Sequence, residues 1–220
     1  MMYLSGKVRA DLVGPYTGFM LTRYVGNALP PEAAWAADSG CYTHPHDYSL
    51  DRYLAWLRHF SDEERGRCLF ATAPDVPFDA AATSERSVPL LPVIRECGYP
   101  VAFCAQDGHA VADLPWDDLD CLFIGGSTRW KLGDEMAALH HEAQRRGKWT
   151  HMGRVNGPVR IKIALAIGLG FDSVDGTVAA FAPDKYIPLI HAWMADQGTV
   201  QTRMAFADNP PINTDGRNHE

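Results

Sequence analysis

Two carboxylates end short apolar runs at places where they could work as a pair. Asp38 closes Trp35-Ala36-Ala37 and leads into Ser39-Gly40-Cys41-Tyr42; Asp175 closes Phe171-Asp172-Ser173-Val174 and leads into Gly176-Thr177. If both runs are parallel strands of one barrel, the two side chains share the rim at the strands' carboxyl ends. There one could attack a substrate while the other protonates it. Asp172 and Asp175 are three residues apart, so a regular strand turns them to opposite faces and at most one enters such a site.

Other apolar runs end in the same way: at Asp75, at Gln106-Asp107-Gly108, at Gly125-Gly126-Ser127 and at Met152-Gly153-Arg154. Each has a plainer reading. Asp38 beside Ser39-Gly40 suits an Asx turn. Asp75 after Pro74 could cap a helix, and Gln106 could bond to backbone. Gly125-Gly126 suits a tight turn, and a methionine such as Met152 is ordinarily core filler. Six strand ends together carry more weight than any one of them.

The elements that must position these residues alternate along the chain. Strands are expected at residues 19–22, 35–38, 69–73, 101–106, 121–126, 149–153 and 171–175, with 8–13 a weaker addition. Most are apolar on both faces, as buried parallel strands are. Between them, apolar residues recur three and four apart at 50–60, 87–97, 133–146, 158–169 and 185–195, the pattern of amphipathic helices. Gly98, Gly147 and Gly170 stand where left-handed helix caps are expected, and Pro89 and Pro92 should bend the third helix or delay its start. Strand-helix alternation over 220 residues predicts an α/β fold, a compact (β/α)₈ barrel spanning 1–207 as one domain, with 208–220 a flexible tail. A doubly wound open sheet is the alternative. Its nucleotide-binding forms lose support because neither G-x-G-x-x-G nor a P-loop follows the first strand.

The net charge of -7 argues against indiscriminate nucleic-acid binding, yet residues 129–162 hold eight basic against three acidic side chains. Arg129, Lys131, Arg154 and Arg160 from this stretch are the candidates for phosphate contact. The five cysteines include no C-x-x-C pair and stand at no zinc-ligand spacing from the histidine pairs, so reduced core thiols and no metal are expected. No apolar run approaches the length of a membrane span and the amino terminus lacks a signal-peptide pattern, which predicts a soluble cytoplasmic protein with no membrane partner.

Taken as an ordered set, these motifs resemble those of the tRNA-guanine transglycosylases. Asp38-Ser39-Gly40-Cys41-Tyr42 is similar to D-S-G-G-[FY], Gln106-Asp107-Gly108 to Q-G-G, Ile124-Gly125-Gly126 to I-G-G-L, His151-Met152-Gly153 to L-M-G, and residues 171–175 to D-x-F-D-C. The resemblance covers roughly residues 35–177. It implies base exchange on a nucleic acid, with Asp175 as the nucleophile toward the anomeric carbon and Asp38 as the general acid/base. Asp75 and Gln106 would read the purine edge, and the Gly126 N–H would add a donor beside Gly125 and Ser127. Tyr42 and Met152, followed by Gly153, would sandwich the heterocycle. No cofactor is implied.

The departures are Cys41 for the second glycine, Ser127 for the leucine, and no cysteine after Cys121 to build the tRNA enzymes' zinc site. A short, zinc-free form resembles instead the phage and bacterial DNA-guanine transglycosylases. That implies DNA, in preference to tRNA, as the partner, a 7-deazaguanine base such as preQ0 or queuine as co-substrate, and protection of phage DNA from restriction as the purpose. Two other readings stay open: an N-glycosidase or base-exchange enzyme acting on a free nucleoside or nucleotide, and a non-catalytic DNA-binding accessory protein.

Overall fold

The computed structural model describes residues 1–7, 12–24, 29–156, 166 and 168–195. Eight parallel strands close into a barrel in chain order: β1 (Met2–Ser5), β2 (Thr17–Leu21), β3 (Trp35–Ala37), β4 (Cys68–Thr72), β5 (Val101–Ala105), β6 (Cys121–Ile124), β7 (Trp149–Met152) and β8 (Ser173–Asp175). Closure comes from β8 lying against β1, with Met2 opposite Ser173 and Leu4 opposite Asp175. The (β/α)₈ expectation holds, and the open-sheet alternative falls with that last pairing.

One strand was not expected. The first staves are Met2–Ser5 and Thr17–Leu21, whereas 8–13 falls largely on residues outside those described. Met2-Tyr3-Leu4 is too short an apolar run to announce itself, and it is stabilised as a strand only by pairing on both edges.

Strand alternation sorts the side chains into two apolar layers. Leu4, Met20, Ala36, Phe70, Ala102 and Cys121 form one cluster, filling the barrel interior. Their strand neighbours Tyr3, Phe19, Trp35, Ala71, Phe103 and Leu122 join a larger cluster beneath the helices. Trp35 anchors that outer layer: it is fully buried, its ring meets Phe60, Trp56 and Tyr99, and its Nε1 donates to the Glu64 carbonyl at 2.8 Å. Burying each such large side chain contributes about 1.5–3 kcal/mol.

The helices begin at side-chain caps where the sequence supplies them. Ser49 accepts from the Arg52 N–H at the start of α1 (Leu50–Arg58), and Ser61 with Glu64 makes a reciprocal capping box on α2 (Asp62–Gly66). The third helical segment starts earlier than its apolar spacing suggests. Asp79 caps α3 (Ala80–Ser87), a single 3₁₀ turn over Val88–Leu90 follows, and α4 (Leu91–Arg95) completes the segment. Pro89 and Pro92 each sit near the start of a new turn, where a missing N–H costs nothing, so they divide the segment rather than delay it. α5 (Asp134–Arg145) and the helix Pro183–Ala195 follow expectation, while most of the 158–169 segment lies outside the described residues. Gly98, Gly147 and Gly170 all have positive φ, as their capping positions require. Among the described residues no helix is long and apolar enough to cross a membrane.

Candidate active site

The inward parity that places Ala36, Phe70, Ala102 and Cys121 inside the barrel also carries Asp38, Thr72, Cys104, Gln106, Phe123 and Gly125 to its carboxyl-end rim. These six, with Tyr42, Asp75, Pro77, Arg154 and Asp175, line a pocket that encloses about 520 Å³, its open mouth included. Six of the eight staves or the segments that follow them contribute, as the barrel architecture dictates.

Asp38 follows β3, its carboxylate accepting the Gly40 N–H at 2.8 Å in the Asx turn that its sequence suggests. The turn does not remove it from the pocket. Burial pushes its pKa up from 3.8 to about 6; the Gly40 bond opposes that rise, and the charges of Asp75 and Asp175 add to it. A carboxyl group so placed holds a proton close to neutral pH, which suits a general acid/base. The loop beneath it is pinned by the Ser39 N–H donating to Thr72 Oγ1 at 2.9 Å.

Asp175 ends β8. Its Oδ1 accepts the Arg154 backbone N–H at 3.1 Å and lies 2.9 Å from His151 Nε2. Asp172, the alternative carboxylate, turns the other way and accepts both the N–H and the hydroxyl of Thr150, at 2.7 and 2.9 Å. It belongs to the scaffold.

Asp75 and Gln106 form the polar wall. Gln106 Nε2 donates to Asp75 Oδ2 at 2.6 Å, while its Oε1 accepts the Phe78 and Gly126 N–H groups at 3.0 and 2.8 Å. The Cys41 thiol donates to Asp75 Oδ1 at 3.1 Å. Burial raises the Asp75 pKa, opposed by that thiol and by Arg86 and Arg154; burial pushes Cys41 itself up to about 12, so it is a hydrogen-bond donor rather than a nucleophile. Gly125 leaves room for that amide: a Cβ there would stand 2.3 Å from Gln106 Nε2, so the amide would have to shift.

Arg154 spans the mouth. Its guanidinium lies 5.0 Å from the Tyr42 ring centroid and 5.4 Å from that of Phe78, donates to the Tyr42 hydroxyl at 3.1 Å, and also reaches the Gly126 carbonyl. Both Arg154 and Phe78 hold positive φ, 57° and 65°, a conformation that non-glycine residues adopt at a cost. Among the described residues, Tyr42 and Phe78 are two of the few large apolar side chains left exposed.

No protein-family model and no curated protein sequence matches this chain.

Several expected site residues lie elsewhere. Met152 is on the outward face of β7, buried in the layer beneath the helices, so it cannot stack on a ligand; Phe123, Cys104 and Pro77 supply the apolar lining instead. The strand's two-residue period is the reason, because the inward neighbours are His151 and Gly153. The Gly126 N–H is committed to Gln106, and Ser127 is held outside the pocket by Asp107, whose carboxylate accepts its N–H and hydroxyl at 2.6 and 2.5 Å. Gly153 does not line the cavity; its carbonyl accepts the buried Lys131 ammonium at 2.6 Å, which takes Lys131 out of any phosphate-binding surface. Arg129 is exposed, Arg154 is at the mouth, and Arg160 lies outside the described residues.

Sequence reasoning overlooked His151 and Ser173. His151 is fully buried in the barrel, its ring 4.4 Å from that of Phe123 and 5.1 Å from that of Phe70, with Nδ1 2.8 Å from Ser173 Oγ. A histidine inside an apolar strand, on the same parity as the rim residues, was the available signal.

Proposed function

We propose that this protein is a guanine transglycosylase that exchanges a guanine of DNA for a 7-deazaguanine base. The observation carrying this reading is one pocket that joins two carboxylates from opposite parts of the chain, Asp38 and Asp175, to a fixed acid-amide pair, Asp75 and Gln106.

In the proposed reaction, Asp175 attacks the anomeric carbon as the bond to the purine nitrogen breaks. The bonding electrons leave with guanine, which takes a proton from Asp38, and the sugar is held as an ester on Asp175. The incoming base returns a proton to Asp38, its nitrogen attacks the same carbon, and the ester bond breaks to regenerate Asp175. Protons and electrons balance over the cycle. Asp75 and Gln106 face the polar edge of the base. The target nucleotide must leave the duplex stack to reach carboxylates at the barrel rim, and the exposed Tyr42 and Phe78 offer rings on which bases could stack.

A second reading, exchange or hydrolysis on a free nucleoside, is favoured by one observation. Of the four cations expected to hold phosphates, Lys131 is buried on Gly153. A small substrate needs no extended basic track.

Incubating the protein with guanine-containing duplex or single-stranded DNA, tRNA or guanosine, plus preQ0, and analysing the nucleosides by mass separates these readings. The proposal expects a deazaguanine deoxynucleoside from DNA and loss of the reaction in Asp175→Asn. Product from guanosine alone would move the assignment to the nucleoside reading, and product from tRNA alone would move it to RNA.

A further inference from the structure

We infer that His151 is the positioning residue of Asp175, holding one carboxylate oxygen so that the other is left to attack. The inference rests on the reading of Asp175 as nucleophile. It begins from a chain of four side chains across the barrel interior. Trp149 Nε1 lies 2.9 Å from Ser173 Oγ, Ser173 Oγ lies 2.8 Å from His151 Nδ1, and His151 Nε2 lies 2.9 Å from Asp175 Oδ1.

Donor and acceptor chemistry gives the chain a direction. An indole nitrogen can only donate, so Ser173 Oγ accepts from Trp149. Ser173 is fully buried, and among the described residues its hydroxyl meets only Trp149 and His151, so its own proton goes to His151 Nδ1. With Nδ1 accepting, the neutral ring carries its proton on Nε2 and donates it to Asp175 Oδ1. The Arg154 N–H, which can only donate, reaches the same oxygen.

Both donors therefore converge on Oδ1, and Oδ2 has no hydrogen bond among the described residues. Asp175 side-chain atoms are 20 % exposed while His151 is fully enclosed, so the accessible part of this pair is the carboxylate alone. The reverse tautomer, with Nδ1 protonated, would leave Nε2 bare and require a proton on Asp175. It would also place two donors on Ser173 Oγ and leave the serine proton without an acceptor. That arrangement would make Asp175 an acid, not a nucleophile. His151 thus decides which role Asp175 can take, without touching the substrate itself.

The test has a spectroscopic and a kinetic arm. In the full-length protein labelled with ¹⁵N-histidine, the His151 signals, assigned by their loss in His151→Gln, should show a protonated Nε2 and a bare Nδ1 at pH 7.5. A protonated Nδ1 with a bare Nε2 would overturn the inference. Kinetically, His151→Phe should lower kcat for labelled-guanine exchange about 100-fold with KM unchanged, and His151→Gln, which keeps a donor, should recover part of it. If the His151 variants do not fold, Ser173→Ala should lower kcat about 10-fold by freeing the ring. Wild-type kcat in His151→Phe, or in Ser173→Ala if only that variant folds, would overturn the inference while leaving Asp175 as nucleophile. Unimpaired exchange in Asp175→Asn would instead remove the nucleophile reading, and the tautomer would still judge the orientation of His151.

Discussion

Replacing Asp38 with asparagine should stabilise the protein at alkaline pH while abolishing exchange. The carboxyl is held in a pocket that raises its pKa from 3.8 to about 6, chiefly through burial. Because the folded value exceeds the unfolded one, the fold binds the proton more tightly. Wild-type stability is therefore fully present below about pH 3.8 and declines as pH rises through about 6. At about 1.4 kcal/mol per pH unit the ceiling on that decline is about 3 kcal/mol. Asp38 is only partly buried, so about 1–2 kcal/mol is the realistic gain for a neutral side chain. Asparagine can still accept the Gly40 N–H, which leaves the turn intact. Thermal melts of both proteins from pH 4 to pH 8 would measure the effect. The variant should match the wild type near pH 4 and exceed its Tm by about 2–8 °C at pH 8, with exchange slowed at least about 100-fold. A Tm advantage that shrinks as pH rises would refute the assignment of Asp38 as a carboxyl destabilised by its burial.

Gly125→Ala should force the Gln106 amide away from Asp75 and raise KM for the free base about 10-fold, with the fold retained by circular dichroism; an unchanged KM would detach this wall from base recognition. Asp172→Ala leaves the buried Thr150 donors unpaired, so it should cost about 1–3 kcal/mol in urea unfolding yet keep wild-type kcat, separating it from Asp175. All five cysteines are buried, and Cys41 is pushed up to about 12, so alkylation by iodoacetamide at pH 8 should run at least about 100-fold slower in the native protein than after denaturation, as mass spectrometry would record.

Seven of the eight staves were readable as apolar runs, because a parallel strand buried on both faces leaves a continuous signal. Met2–Ser5 was not, since so short a run is indistinguishable from an ordinary apolar terminus until β2 and β8 pair with it. Asp38, Asp75, Gln106, Gly125 and Asp175 were legible as strand-end polar residues. Their mutual bonds were not, because those depend on how adjacent rim segments meet. Met152 failed for a reason within reach: motif order placed it in the site, while the period of β7 turned it outward and His151 inward. Lys131 failed for another, since charge counting cannot distinguish a solvated ammonium from one buried on the Gly153 carbonyl.

The central claim is that Asp175 attacks the sugar while guanine departs. Intact-protein mass spectrometry after brief incubation with a guanine-containing DNA oligonucleotide, quenched with acid, tests it most directly. The account predicts a species heavier by the oligonucleotide less one guanine, with its linkage at Asp175, and none in Asp175→Asn. Guanine exchange that proceeds with no such species, and equally well in Asp175→Asn, would contradict it.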